Sequence, residues 1–131
     1  MKSKKRREDD PSVLTSNDDF RRALDSAQEL EISFLGGKTG KRFSIPVWFV
    51  VSGDKLQLLP VRGTKSKWYK GILKNPMIDL EVSGKKISAE SHTIQDTKTI
   101  EEIMDRFRSK YGAGDVKRYY PGQNAAVELQ I

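Results

Sequence analysis

The amino-acid sequence predicts a mainly β fold, a six-stranded antiparallel barrel with two or three short helices at its periphery. Two observations support this prediction. Six apolar or alternating segments have the length of strands, and hairpin-sized turns join most of them, whereas helical periodicity is confined to a few segments. A chain of 131 residues without internal repeats is expected to form a single domain with a core of its own.

The first predicted element is a helix, because Ser16 or Asn17 can cap a segment whose apolar residues recur at helical spacing. Strands dominate the rest of the chain. The predicted strands span residues 31–35, 42–51, 56–61, 77–82, 86–94 and 125–131. Pro46 and Pro60 cannot donate a backbone hydrogen bond, so each is expected at an edge, a bulge or a strand end.

Two further helices are predicted between the strands. The first runs from Ser66 to Lys74 and ends at Asn75, because a residue before proline is driven out of the helical region. The second begins at a capping box formed by Thr99 and Glu102, and a glycine-rich stretch ends it. Its apolar stripe comprises Ile100, Ile103, Met104, Phe107 and Tyr111.

Residues 1–15 are predicted to form a charged, disordered tail, and residues 16–131 the single domain. The tail lacks the apolar segment of a signal peptide, and no stretch approaches the ~20 apolar residues that a membrane span needs. A cytoplasmic protein without a membrane span is therefore expected. The chain has no cysteine, which excludes disulfides, thiolate nucleophiles and thiolate metal sites.

Positive charge is concentrated between residues 32 and 78, where nine lysines and arginines accompany a single acid, Asp54. Such a segment attracts phosphates, carboxylate tails or nucleic acid. Within it, Ser66 can cap a helix whose N-terminus favours a phosphate, and Arg62, Lys65 and Lys67 add three cations there. The pattern predicts an anion site, with a surface turn of solvated lysines as the alternative.

Catalysis by side chains has little support in the sequence. The single histidine, His92, lies on the polar side of its strand without the partner that a hydrolytic triad needs. No cluster has the spacing of a metal site. We therefore predict neither catalytic side chains nor a metal, which is compatible with a flavin-type cofactor because its ring carries out the redox chemistry itself. Trp48 and Trp68 are expected either to face such a ring or to pack in the core.

Five segments resemble, in order and spacing, the FMN-binding split barrels of the pyridoxamine 5'-phosphate oxidase-like fold. The segments are residues 39–42, 45–50, 58–68, 73–76 and 117–121. The pattern Trp68-Tyr69 followed by Asn75-Pro76 is the most distinctive, and the chain most resembles the deazaflavin-dependent nitroreductase and quinone reductase branch. The likeness extends from about residue 31 to residue 131.

The resemblance implies a six-stranded split barrel, a homodimer, and a flavin bound in a cleft near the dimer interface. It implies a phosphate-binding turn from Arg62 to Lys67, a ring-facing strand from Ile45 to Trp48, and a basic pair near the phosphate or acidic tail. The implied cofactor-binding residues are Lys41, Arg42, Ile45, Pro46, Val47, Trp48, Arg62, Gly63, Thr64, Lys65, Ser66, Lys67 and Trp68.

Two departures from the family pattern matter. The oxidase's substrate-phosphate residues have no counterpart, and the turn lacks the double glycine of many deazaflavin users, so FMN and the 8-hydroxy-5-deazaflavin coenzyme both remain candidates. The predicted function is a reductase that transfers hydride between this cofactor and a quinone or nitro compound. The alternatives are a basic barrel that binds single-stranded nucleic acid, and a split barrel that binds flavin or haem without turnover.

Overall fold

The computed structural model describes residues 17–36 and 40–131. The predicted tail, the alternative cap Ser16 and the first residue of the family pattern, Thr39, lie outside the described residues. Seven strands are present, namely β1 (Leu30–Leu35), β2 (Arg42–Val47), β3 (Phe49–Ser52), β4 (Lys55–Leu58), β5 (Met77–Val82), β6 (Lys85–Ile94) and β7 (Ala126–Gln130). Four α-helices accompany them, namely α1 (Asn17–Leu24), α2 (Lys67–Lys74), α3 (Thr97–Tyr111) and α4 (Ala113–Tyr119).

The strands form one antiparallel sheet in the order β2-β1-β5-β6-β7-β4-β3. Its two edge strands, β2 and β3, are separated in the chain by the single residue Trp48. A one-residue connection cannot cross a flat seven-stranded sheet, because neighbouring strands lie about 4.8 Å apart. The sheet therefore curls until its edges meet, and the predicted mainly β barrel with peripheral helices is confirmed.

The predicted strand 42–51 is divided at Trp48, which makes the strand count seven rather than six. Its first half pairs with β1 and its second half with β4, so the chain changes partners at the corner of the curled sheet. Pro46 lies in the edge strand β2, where a missing N–H is tolerated, and Pro60 follows the end of β4. Both prolines thus occupy the kinds of position expected.

Alternation along the strands builds two apolar cores on opposite faces of the sheet. Phe49 belongs to the larger core, with residues of α1 and α2, whereas Val50 belongs to the smaller core, with residues of α3 and α4. Trp48 packs against the smaller core. Trp48 and Phe49 therefore point to different faces of the sheet, and Trp48 lies on the face that α3 and α4 cover.

The start of α3 differs from the prediction, whereas its end at the glycine-rich stretch is confirmed. Its N-cap is Asp96 rather than Thr99, and the Asp96 carboxylate accepts hydrogen bonds from the backbone N–H of Thr99 at 2.9 Å and its hydroxyl at 2.7 Å. These bonds lower the pKa of Asp96. Gly112, with a φ of 97°, ends α3, but the chain then forms α4, which the glycine-rich sequence did not predict.

Candidate functional site

A cavity of about 430 Å³ opens beside the corner of the sheet. We call it the aromatic hollow, because four aromatic side chains and several apolar ones line it. Its lining residues are Glu29, Ile45, Pro46, Val47, Trp48, Leu59, Val61, Ser66, Trp68, Tyr119 and Tyr120. The hollow unites the end of the edge strand β2, the N-terminus of α2 and the C-terminus of α4.

The ring-facing strand predicted from the resemblance lies in this hollow. All four of its residues, Ile45 to Trp48, line the cavity, and so do Ser66 and Trp68. Among the described strands, β2 has a neighbour on one side alone. A planar ligand in the hollow would therefore lie against an edge strand rather than against the middle of the sheet.

Trp48 is held in position by stacked and edge-on aromatic contacts. Tyr111 stacks on it, with ring centroids 4.1 Å apart and planes inclined by 7°. Tyr119 meets it edge-on, with centroids 5.5 Å apart at 80°. Such pairs stabilise by about 0.5–1.5 kcal/mol beyond area burial, so the indole lining the hollow is pre-positioned.

The hydroxyl of Tyr111 joins three segments. It donates a hydrogen bond to the carbonyl oxygen of Gln28 at 2.7 Å and accepts one from the backbone N–H of Phe49 at 3.0 Å. Burial of the side chain raises the pKa of Tyr111 to about 12. The phenol therefore stays protonated and connects the loop before β1 to the start of β3.

Replacement of Tyr111 with phenylalanine is expected to lower the free energy of unfolding by about 1–2 kcal/mol, because the backbone groups of Gln28 and Phe49 lose a hydrogen-bond partner. The ring, and hence its stacking on Trp48, is retained. Urea denaturation of the two proteins measures this difference. Tyr119→Phe is the control, since that exposed side chain has no hydrogen bond through its hydroxyl among the described residues; an equal loss in both variants would contradict the assignment.

Lys110, the neighbour of Tyr111 on α3, lies over the ring of Phe49 with its ammonium 3.4 Å from the ring centroid. It also donates a hydrogen bond to the carbonyl oxygen of Phe49 at 3.0 Å. Burial nevertheless lowers the pKa of Lys110 to about 8. Desolvation of the charged form is the cause of this shift.

This lysine is expected to make stability depend on pH. Between the folded pKa of about 8 and the ordinary value of 10.5, the unfolded chain binds more protons, so stability rises with pH. Lys110→Met is therefore expected to be more stable than the wild type at pH 7, and this advantage should shrink as the pH rises from 8 to 10. Denaturant titrations at pH 7, 8, 9 and 10 measure it. A difference that does not change with pH would disprove the effect.

A second cavity, of about 510 Å³, is lined by residues that are neighbours in the sequence of residues lining the first. We call it the cationic hollow, and its lining residues are Arg62, Lys65, Pro121, Gly122 and Asn124. Three pairs of consecutive residues have one member in each cavity: Val61 with Arg62, Lys65 with Ser66, and Tyr120 with Pro121. The aromatic and the cationic hollow are therefore lined by neighbouring residues of the same three chain segments.

The basic turn between the two hollows is braced by Asn124. The side-chain oxygen of Asn124 accepts a hydrogen bond from the backbone N–H of Thr64 at 3.1 Å, and its amide donates to the Thr64 hydroxyl at 3.3 Å. Gly63 is buried beneath this contact with a φ of 57°, and a Cβ there would stand 2.0 Å from the Asn124 oxygen. Arg62 itself has a φ of 76°. The turn thus holds Arg62 and Lys65 on a backbone that Asn124 supports.

The predicted cap of α2 is present, because the Ser66 hydroxyl accepts a hydrogen bond from the backbone N–H of Tyr69 at 3.3 Å. Trp68 and Tyr69 are both buried in the larger core, and Trp68 also reaches the aromatic hollow. The predicted end at Asn75 is confirmed as well. The N-terminus of α2 therefore lies beside both hollows, because Ser66 lines one and Lys65, the residue before it, lines the other.

Three predicted basic residues lie away from both cavity linings. The Lys67 ammonium stands 4.3 Å from the centroid of the Phe43 ring. Arg42 forms an ion pair with Asp79. Lys41 is exposed just before β2, and its carbonyl oxygen accepts a hydrogen bond from the backbone N–H of Gly36 at 2.7 Å. Predicted residues Gly63 and Thr64 belong to the braced turn.

Sequence reasoning missed five residues of the aromatic hollow, namely Glu29, Leu59, Val61, Tyr119 and Tyr120. The two tyrosines belong to the segment 117–121 that carried part of the family resemblance, which was a usable signal. The sequence offered no comparable signal for Glu29, because charged residues commonly precede strands. His92 is exposed, as predicted.

Comparisons with solved structures agree with this architecture. An F420-H2-dependent reductase has a TM-score of 0.60 at 15% identity, over 79% of this chain and 94% of that one. A Listeria innocua protein assigned as a pyridoxamine 5'-phosphate oxidase has a TM-score of 0.62 at 13% identity, over 86% and 90%. The haem storage protein HutZ of Vibrio cholerae has a TM-score of 0.66 at 11% identity, over 89% and 90%.

The predicted resemblance to the pyridoxamine 5'-phosphate oxidase-like split barrels is thereby confirmed for the fold. No curated protein sequence matches this chain. A family model described as "Uncharacterized protein conserved in bacteria (DUF2255)" matches residues 21–129. Among the described helices, none combines the length and apolar character needed to cross a membrane.

Proposed function

Since this chain belongs to the DUF2255 family of bacterial proteins, whose fold here is the split barrel, we propose that it binds FMN or a deazaflavin and transfers hydride between that cofactor and a small aromatic acceptor. The observation that carries the proposal is that three chain segments each contribute neighbouring residues to the aromatic and to the cationic hollow. A flavin-type cofactor has the matching construction, a planar ring joined to an anionic tail.

The residues of the site fit both parts of such a ligand. The ring would lie between the edge strand β2 and the indoles of Trp48 and Trp68. The phosphate would be held by Arg62 and Lys65, with the N-terminus of α2 contributing its backbone N–H groups and dipole. Arg62 can bind a phosphate through two hydrogen bonds at once.

The ring of such a cofactor supplies the hydride chemistry itself, so the chain needs no catalytic side chain. The protein's part is to bind and orient. Tyr111 holds Trp48, and Asn124 supports the basic turn through Thr64. The apolar residues Ile45, Leu59 and Val61 would exclude water from the reacting edge of the ring.

The remaining predicted site residues are assigned supporting roles in this proposal. Gly63 and Thr64 shape the turn, whereas Lys41, Arg42 and Lys67 would attract the phosphate or acidic tail at longer range. We also propose a cytoplasmic homodimer. Its support is that Val61 and Tyr119, at the rim of the aromatic hollow, are 49% and 43% exposed, and a second copy could cover them.

Calorimetric titration of the purified protein with FMN, the deazaflavin coenzyme and riboflavin tests this proposal. FMN or the deazaflavin is expected to bind at one molecule per chain, and riboflavin, which lacks a phosphate, at least about tenfold more weakly because it loses the charged contacts. A protein that binds neither phosphorylated cofactor would disprove the proposal. Saturable binding without turnover of quinones or nitro compounds would leave the non-catalytic alternative.

The positions of the two tryptophans argue against the nucleic-acid alternative. Both indoles line a single hollow and are not spaced along an open face of the sheet. Binding of single strands generally uses exposed rings on which successive bases stack. Tight, steeply salt-dependent binding of single-stranded DNA or RNA would restore that alternative.

A further inference from the structure

The aromatic hollow has a charge of its own, separate from the cationic hollow. Among the described residues that line it, Glu29 is the single charged one. Its carboxylate has no hydrogen bond or ion pair with another described residue. The basic side chains Arg62 and Lys65 line the other cavity. The site is thus negative where an acceptor would meet the ring and positive where the cofactor's tail would lie.

The β1–β2 register places Glu29 at the indole end of the hollow. Leu30 pairs with Val47, so Glu29, one residue before β1, lies at the same end of this strand pair as Trp48, one residue after β2. Glu29 is also close enough to Tyr111, the ring stacked on Trp48, for its charge to act on that phenol. The residues that adjoin the cationic hollow are Val61, Ser66 and Tyr120.

A carboxylate and aromatic rings that line the same cavity can together bind an organic cation. Ammonium groups are attracted to the faces of tryptophan and tyrosine by the ring quadrupole, and a nearby carboxylate adds a charge-assisted hydrogen bond. Trp48 and Tyr119, the two less buried rings of the hollow, supply the aromatic groups, and Glu29, which is itself exposed, supplies the carboxylate. An anionic aromatic compound would be repelled by the carboxylate.

We propose that Glu29 determines substrate specificity and that the acceptor is an aromatic compound carrying a positively charged nitrogen, such as a protonated amine or an amidine. This inference rests on the proposed function, because the cation is an acceptor only if the protein is a reductase. The selection of cations by the hollow is a property of the chain's own residues. Carboxylated aromatics are correspondingly poor ligands for it.

Calorimetry of the cofactor-free protein with three matched probes tests the proposal. The probes are 2-naphthylmethylamine, 2-naphthylmethanol and 2-naphthoate, which are cationic, neutral and anionic at pH 7. We expect the amine to bind at least about tenfold more tightly than the alcohol and the carboxylate most weakly. Equal affinities for the amine and the alcohol, or binding of none of the three, would overturn the proposal.

Two variants make the test specific to Glu29. Glu29→Gln is expected to abolish the preference for the amine while the affinity for the alcohol stays within about twofold. Glu31→Gln is the matched control, because this exposed carboxylate lies two residues further along β1 and outside the lining of the hollow; it should keep the full preference. An unchanged preference in Glu29→Gln would overturn the assignment.

The parallel titration with FMN and the deazaflavin separates the two proposals. Cofactor binding without a preference for the amine would disprove the role of Glu29 alone. A preference for the amine that depends on Glu29, without cofactor binding, would disprove the reductase and keep the cation site. If the protein both binds the cofactor and prefers the amine, kcat/KM for an amine-bearing nitroaromatic should exceed that for its carboxylate analogue. This kcat/KM should fall in Glu29→Gln.

Discussion

Replacement of Gly71 with alanine is expected to lower the free energy of unfolding by about 2–3 kcal/mol. Gly71 lies in α2 where the helix meets β1, and a Cβ there would stand 2.6 Å from the carbonyl oxygen of Leu35 and 3.2 Å from the Phe34 ring. Backbone cannot give way as a flexible side chain can, so α2 must move away from the sheet. This displacement would outweigh the ~1 kcal/mol that alanine gains over glycine in a helix.

Gly114→Ala in α4 is the matched control, because a Cβ at that position meets nothing within 4 Å. It is expected to be neutral or to stabilise by up to ~1 kcal/mol. Urea denaturation of both variants gives the comparison. Because α2 also positions Ser66 and Trp68, Gly71→Ala should weaken cofactor binding as well, even in the fraction that remains folded. Similar stabilities for the two variants would disprove the close approach of α2 and β1.

The double substitution Arg62→Ala/Lys65→Ala is expected to weaken the binding of FMN or the deazaflavin about 100-fold. Both side chains line the cationic hollow. A hydrogen bond to a charged group contributes about 1.5–3 kcal/mol. Both side chains are exposed, so one bond from each at the lower end of that range gives about 3 kcal/mol, and about 2.8 kcal/mol corresponds to a hundredfold change in affinity. Riboflavin, without the phosphate, should bind the variant and the wild type about equally.

Lys55→Ala/Lys70→Ala is the control for this double variant, since it removes the same charge from the same basic segment outside both hollows. It is expected to change the affinity for the phosphorylated cofactor less than about threefold at physiological salt, where distant charges are screened. Calorimetry measures all four affinities. Equal losses in the two double variants would mean that the segment attracts the cofactor by its overall charge and that no defined phosphate site exists.

Local signals in the sequence were sufficient for the elements that carry the site. The capping residue Ser66, the stop at Asn75 and the edge position of Pro46 each follow from backbone chemistry that needs no knowledge of distant residues. All of the predicted site residues come from the Lys41–Trp68 segment, and six of them, Ile45 to Trp48 with Ser66 and Trp68, meet in one hollow.

The features that the sequence did not reveal depend on closure of the sheet. The corner at Trp48 arises because the two halves of one apolar segment pair with strands far apart in the chain. Asn124 meets Thr64 across 60 residues, and Glu29 reaches the hollow only because β1 pairs with β2. No periodicity or capping rule encodes these contacts, so Asn124 and Glu29 could not be assigned to the site.

The chain's own fluorescence tests whether a planar ring binds in the aromatic hollow, as we propose. The sequence contains two tryptophans, Trp48 and Trp68, and both line that hollow. Titration with FMN or the deazaflavin, corrected for absorption by the ligand, is predicted to quench the tryptophan emission saturably at one cofactor per chain. Emission that stays unchanged while calorimetry records binding would place the cofactor elsewhere and contradict the claim.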